Sequence, residues 1–117
     1  MKNENIVQLK SFEFAIEIVK IYKYLCETKK EFTLSKQLLR SGTSVGANIE
    51  EALGGQSRKD FYAKLTISYK EARESKYWIR LLMETNYLDK IKHNNMLEKA
   101  EELLRIIGSI QKSIRNS

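Results

Sequence analysis

The sequence predicts an all-α protein folded as an antiparallel, up-down-up-down four-helix bundle. Three observations carry this. The chain has no proline and 31% charged residues over 117 positions, a composition suited to long helices. Apolar residues recur at spacings of three and four in four segments, about 6–28, 34–53, 58–85 and 89–115. The connections between segments are short, about three to six residues, which makes consecutive helices antiparallel neighbours. The length suits one domain with a real core.

In the first segment Leu9, Phe12, Ile16, Val19, Tyr22 and Cys26 form an amphipathic stripe, and Ile18, Ile21 and Leu25 widen it. The run Glu27–Phe32 breaks the pattern, and Thr33 is a candidate N-cap for the second helix. There Leu34, Leu38, Val45, Ile49 and Leu53 keep helical phase until Gly54–Gly55, where left-handed dihedrals are expected to end the helix. Ser57, with Asp60 three residues on, resembles a capping box for the third helix. That helix is expected to face the core with Phe61, Leu65, Ser68, Ala72, Ser75, Ile79 and Leu82. Asp89 is placed to cap the fourth, whose stripe is Leu97, Ala100, Leu104, Ile107, Ile110 and Ile114.

The second helix contains an unusual run of small residues, Ser41-Gly-Thr-Ser-Val-Gly-Ala-Asn48. A phosphate-cradling loop does not fit it: Gly42 and Gly46 have the wrong spacing for G-x-x-x-x-G-K-[ST], no lysine follows, and no strand precedes. A linker does not fit either, since Val45 and Ile49 stay in phase with Leu38. The run reads as a packing device. Glycine inside a helix costs about 0.5–1 kcal/mol relative to alanine, which close packing must offset. The register expected from the short connections sets Val19 over Gly42, Ile16 over Val45, and Val45 over Leu65 or Thr66. Gly42, Ser44 and Gly46 are therefore structural. So are Asn48, expected to bond across a helix interface, and Arg40, expected to pair with Glu71 or Glu74.

Several classes of function are disfavoured. The lone Cys26 excludes an internal disulfide and metal-ligating cysteine pairs. Cys26 is expected in the core, and His93, the one histidine, on a solvated surface. Adjacent acids on a helix point about 100° apart, so Glu50–Glu51 and Glu101–Glu102 do not converge on a metal. No catalytic residue, metal ligand or cofactor site is expected, and the protein is read as not an enzyme. No membrane span or signal peptide is visible, and a cytoplasmic location is expected.

The charge is more informative. The net charge is +6. On the third helix Lys59, Tyr62, Thr66, Tyr69, Arg73, Lys76 and Arg80 share one stripe without an acid, and Arg105, Lys112 and Arg115 form a second basic line on the fourth. Such cations neutralise phosphates, and tyrosines stack on unpaired bases. The plainer reading is a solvated flank. The third helix also has a surplus apolar face, Ala63, Ile67, Trp78 and Leu81 with Tyr77 beside it. One bundle face cannot bury this as well, and it is read as an oligomer interface.

The stretches "QLLRSGTSVGANIEEA" and "SRKDFYAKLTISYKEARESKYWIRLL" resemble the four-helix bundle proteins encoded in intervening sequences of bacterial 23S ribosomal RNA genes. Arg40, Ser44, Val45, Asn48, Ile49 and Glu51 match the first part of that pattern. Asp60-Phe61, Glu74, Tyr77 and Trp78 match the second, with Ile79 for the usual Leu. The resemblance covers essentially the whole chain and implies a ring-like homopentamer. Relatives similar in fold act with a reverse transcriptase and nucleic acid in diversity-generating retroelements. No enzymatic activity is implied. The expected function is an oligomeric nucleic-acid-binding accessory protein, with a protein–protein scaffold as the alternative.

Overall fold

A computed structural model describes the backbone of residues 2–117 and the side chains of residues 6–117. Four helices follow one another: α1 (Lys2–Glu27), α2 (Leu34–Leu53), α3 (Arg58–Glu84) and α4 (Lys90–Arg115). They run up and down in an elongated body of 47 × 22 × 18 Å. Neighbours in sequence touch, α4 closes weakly onto α1, and the diagonal pairs α1–α3 and α2–α4 stay apart. Each helix thus occupies one corner and turns one side outward.

The caps explain where the helices start. Ser57 accepts the Asp60 N–H at the head of α3, and Asp89 accepts the Lys92 N–H, 2.8 Å, at the head of α4. The head of α2 differs from the expectation. Thr33 makes no side-chain cap bond. The carboxylate of Glu31 takes that role, accepting the N–H groups of Thr33 (3.1 Å), Leu34 (2.9 Å) and Ser35 (2.7 Å). One buried acid satisfies three of the donors a helix start leaves orphaned.

The end of α2 also departs from expectation. Gly54 is right-handed (φ −87°, ψ 0°), and no glycine has positive φ. The Gly55 N–H reaches back to the Ala52 carbonyl instead, which closes the turn without a left-handed residue. The left-handed positions are Lys30 and Asn86, where α1 and α3 end. Beside them the Glu31 N–H bonds Leu25 O and the Tyr87 N–H bonds Leu82 O, both 2.9 Å.

The largest correction concerns α1. Its buried residues are Val7, Ser11, Phe14, Ile18, Ile21 and Leu25. The expected stripe of Leu9, Phe12, Ile16 and Val19 lies on the opposite side and is exposed, with Phe12 at 63% and Leu9 at 60% against 0% for Ile18. Ile18, not Val19, lies over Gly42: a Cβ built there would meet Ile18 side-chain carbons at 2.6–2.9 Å. Gly46 comes close to backbone, since a Cβ there would lie 3.2 Å from Ser11 O. The small run therefore lets α1 and α2 approach, as the glycines suggested, but on the other face of α1.

Small residues also join α2 to α3. Ser68 Oγ donates to Val45 O at 2.8 Å, which holds the Ser68 side chain against the α2 backbone at Val45. Ser75 and Ser41 hydroxyls bond at 3.0 Å. No buried side-chain N or O among the described residues lacks a partner. These hydroxyls can sit in the core because each is satisfied.

Candidate nucleic-acid interface

The basic residues of α3 and α4 meet along one side of the bundle. Four pairings stitch this seam in constant antiparallel register. Arg115 donates to Tyr62 Oη (2.7 Å), Gln111 Nε2 donates to Thr66 Oγ1 (2.8 Å), Tyr69 packs on Gly108, and Lys76 pairs with Glu101 (2.9 Å). This register brings Arg73 level with Arg105. Lys59, Arg73, Arg80, Arg105 and Lys112 are exposed and pair with no acid among the described side chains. One acid at the seam, Glu101, is taken: its hydrogen bond to Lys76, helped by that charge and by Arg105, holds its carboxyl below the usual range, while Glu98, beside Arg105, is exposed and unpaired among the described side chains.

The structure divides the predicted stripe in two. Arg73, Arg80 and Lys59 stand free beside the seam. Tyr62 and Tyr69 are half-buried in it, and Lys76 and Arg115 hold it together. Lys112 and Arg115 also lie in the last turn of α4, where cations complement the helix dipole.

The residues read as structural take defined places. Arg40 forks onto Glu71 (3.1 Å) and Glu74, and Trp78 Nε1 donates to the same Glu74 carboxylate at 2.9 Å. Ser44 bonds the Arg40 carbonyl, 2.6 Å. Asn48 bonds Ser44 O within its own helix, 2.8 Å, and not across an interface as expected. On the outward face of α3, Ala63, Ile67 and Tyr77 are exposed, while Trp78 and Leu81 are half-buried.

Cys26 is half-buried and not fully in the core, with Sγ 3.8 Å from Ser35 Oγ. Its interaction with Tyr22 raises that phenol's pKa. His93 is less exposed than expected, lying half-buried with its ring 6.4 Å from that of Tyr24. Among the described residues no cluster of His, Cys, Asp or Glu could hold a metal, and no helix is long and apolar enough to cross a membrane.

The feature that residue-by-residue reading missed is the outward row of α1. Leu9, Phe12, Ile16 and Val19 form a continuous exposed line. Beside Phe12 runs a groove of about 270 Å³ between α1 and α2, floored by Ala15, Gly46 and Ala47. The signal was present in the spacing. Val7, Ser11, Phe14, Ile18, Ile21 and Leu25 alternate four and three without a break, the seam a helix bundle buries. Ser11 hid it, because a serine in an apolar stripe reads as an interruption.

These features define a class: an antiparallel four-helix bundle with one basic side and apolar residues turned outward at two corners. The 23S rRNA-intervening sequence protein family matches residues 3–109, and the chain belongs to that family. A solved structure from Bacteroides thetaiotaomicron, of a protein of unknown function from the S23 ribosomal protein family, is similar throughout. It shares 47% identity over 94% of this chain and 98% of that one, with a TM-score of 0.92. Comparison with curated proteins finds no match.

Proposed function

We propose that the protein is a non-enzymatic, homo-oligomeric accessory that holds the phosphate backbone of RNA or DNA against the α3–α4 side. The observation that supports this most is the set of unpaired cations, Lys59, Arg73, Arg80, Arg105 and Lys112, gathered on one side while the nearby Glu101 is neutralised by Lys76. A pentameric ring, which the family resemblance implies, would repeat that side around an axis and strengthen its field. Backbone recognition of this kind carries little sequence preference, since it reads phosphates and not base edges.

The test is a titration of labelled single-stranded RNA, single-stranded DNA and duplex at low and moderate salt. Affinity is expected to fall steeply with salt. Replacing Arg73, Arg80 and Arg105 with Gln should flatten the log–log salt slope by roughly 0.7–0.9 for each phosphate no longer neutralised. Glutamine is a good helix former, so the fold should persist. Absence of binding to all three ligands at low salt, with the assembly intact, would favour a protein–protein scaffold. The engaged state of Tyr62 and Tyr69 favours that second reading, since neither ring is fully free to stack on a base.

A further inference from the structure

We propose that the ligand of the α3–α4 side is a nucleic-acid duplex, laid along the bundle axis and held by its phosphates, and not an unpaired strand. This rests on the nucleic-acid reading above and deepens it.

The free cations form a straight row. The seam pairings Tyr62–Arg115, Thr66–Gln111, Tyr69–Gly108 and Lys76–Glu101 keep one register, so each α4 residue can be set at a level on α3. Lys112 stands level with Leu65, and Arg105 with Ala72–Arg73. Along the axis come Lys59, Lys112, the Arg73 and Arg105 pair, and Arg80, all exposed. At a helical rise of about 1.5 Å per residue, successive levels are about 10 Å apart and the row is about 30 Å long.

The row is also fixed in shape. Two helices joined at four levels bear it, so its cations keep their spacing whatever binds. A duplex is the polyanion that suits such a row. It is stiff, with a persistence length of about 150 base pairs, so it is straight over this distance. It carries one negative charge for roughly every 1.7 Å of its axis. The row spans about nine base pairs at about 3.4 Å each. A single strand must lose conformational freedom to lie straight along the row. It also releases fewer counterions, about 0.7 per neutralised phosphate against about 0.9 for duplex.

Single strands offset these costs by stacking bases on a series of aromatic rings. This side has committed its rings elsewhere. Tyr62 accepts a hydrogen bond from Arg115, Tyr69 packs on Gly108, and both are half-buried. Tyr77 is the exposed tyrosine here, four residues from Arg73 and three from Arg80, on the same flank of α3. It already stands edge-on to Trp78, with centroids 5.0 Å apart, and it offers one ring and not a series. Paired bases need no such platform, because they stack on one another. The exposed carboxylate of Glu98 beside Arg105 opposes any phosphate there, so it sets a limit on affinity that can be removed.

The experiment titrates wild type with a hairpin whose stem of about ten base pairs matches the row, and with an unstructured strand of equal phosphate number. Both are made in RNA and in DNA. The hairpin should bind at least tenfold more tightly than the strand at the same salt. A hairpin with a stem half as long should bind at least tenfold more weakly than the full one. Arg73→Gln combined with Arg105→Gln should lower hairpin affinity at least tenfold, and Glu98→Gln should raise it several-fold. Tyr77→Leu, which removes the exposed ring and keeps an apolar side chain, should change hairpin affinity less than twofold. A strand that binds as tightly as the hairpin, or a Tyr77→Leu protein that loses tenfold in affinity, would overturn the duplex inference and leave the nucleic-acid reading standing. Absence of binding to every ligand at low salt would overturn both.

Discussion

The two sides of α1 are a controlled comparison within a single helix. Both carry aliphatic and aromatic residues at spacings of three and four. One side, Phe14, Ile18, Ile21 and Leu25, is almost wholly withdrawn from water, and the other, Leu9, Phe12, Ile16 and Val19, is not. Hydrophobicity therefore did not select the buried side. Shape did: Ile18 fits where Gly42 has no side chain, and the α1 backbone at Ser11 reaches Gly46. Close packing at interior density is available on one side only, so that side closes the bundle and the other stays in water.

The largest effect should come from treating the two sides alike. Ile18→Ala should cost about 2–5 kcal/mol of stability, measured by urea denaturation, through reduced burial and the cavity left behind. Phe12→Ala, equally drastic in chemistry, should leave the unfolding free energy of the monomer within about 0.5 kcal/mol, as surface substitutions do. If both cost the same, the assignment of buried and exposed sides is wrong.

A smaller contrast sharpens the role of shape. Gly42→Ala should destabilise by about 1–3 kcal/mol, because the new methyl group overlaps Ile18. At Gly108 a Cβ meets nothing nearer than Tyr69 at 3.6 Å, an ordinary van der Waals distance. There the same substitution should stabilise by up to about 1 kcal/mol, the usual gain of alanine over glycine within a helix. Thermal denaturation of the pair reads the difference in sign directly.

The smallest predicted effect concerns the head of α2. Burial by itself would raise the Glu31 pKa, but the Leu34, Ser35 and Thr33 N–H groups together outweigh it and hold the carboxyl below its ordinary value. A depressed folded pKa contributes stability that is full above the unfolded value, about 4.3, and lost as pH falls through the folded value. Glu31→Gln should therefore cost about 0.5–2 kcal/mol at pH 7, in the range of a removed N-cap. The gap between wild type and variant should shrink below pH 4. A gap that stays constant from pH 7 to pH 3 would show that the charge of Glu31 contributes nothing.

Much of the fold could be read from residues alone, because local rules act within one helix. Ser57 and Asp89 announce helix starts through hydrogen bonds a few residues long, though Asp60 makes no side-chain bond back to Ser57, and the Arg40 fork onto Glu71 and Glu74 follows from register. The side of α1 that enters the core depends on glycines more than twenty residues away, and two stripes were in phase. Glu31 was missed because it precedes the residue that normally caps. The surplus apolar face of α3 was legible from Ile67 and Tyr77, but its counterpart on α1 was assigned to the core. Of the basic stripe, residue types gave the side correctly but not the division between Arg73, which is free, and Lys76, which Glu101 holds.

The central claim is that one apolar side of α1 closes the bundle while the other takes no part in closing it. The most direct measurement is the melting temperature of wild type, Ile18→Ala and Phe12→Ser, extrapolated to low protein concentration, since association makes the melting temperature depend on concentration. The account predicts that wild type and Phe12→Ser melt within a few degrees of each other and that Ile18→Ala melts about 10 °C or more below both. A Phe12→Ser protein that melts as early as Ile18→Ala would contradict the claim.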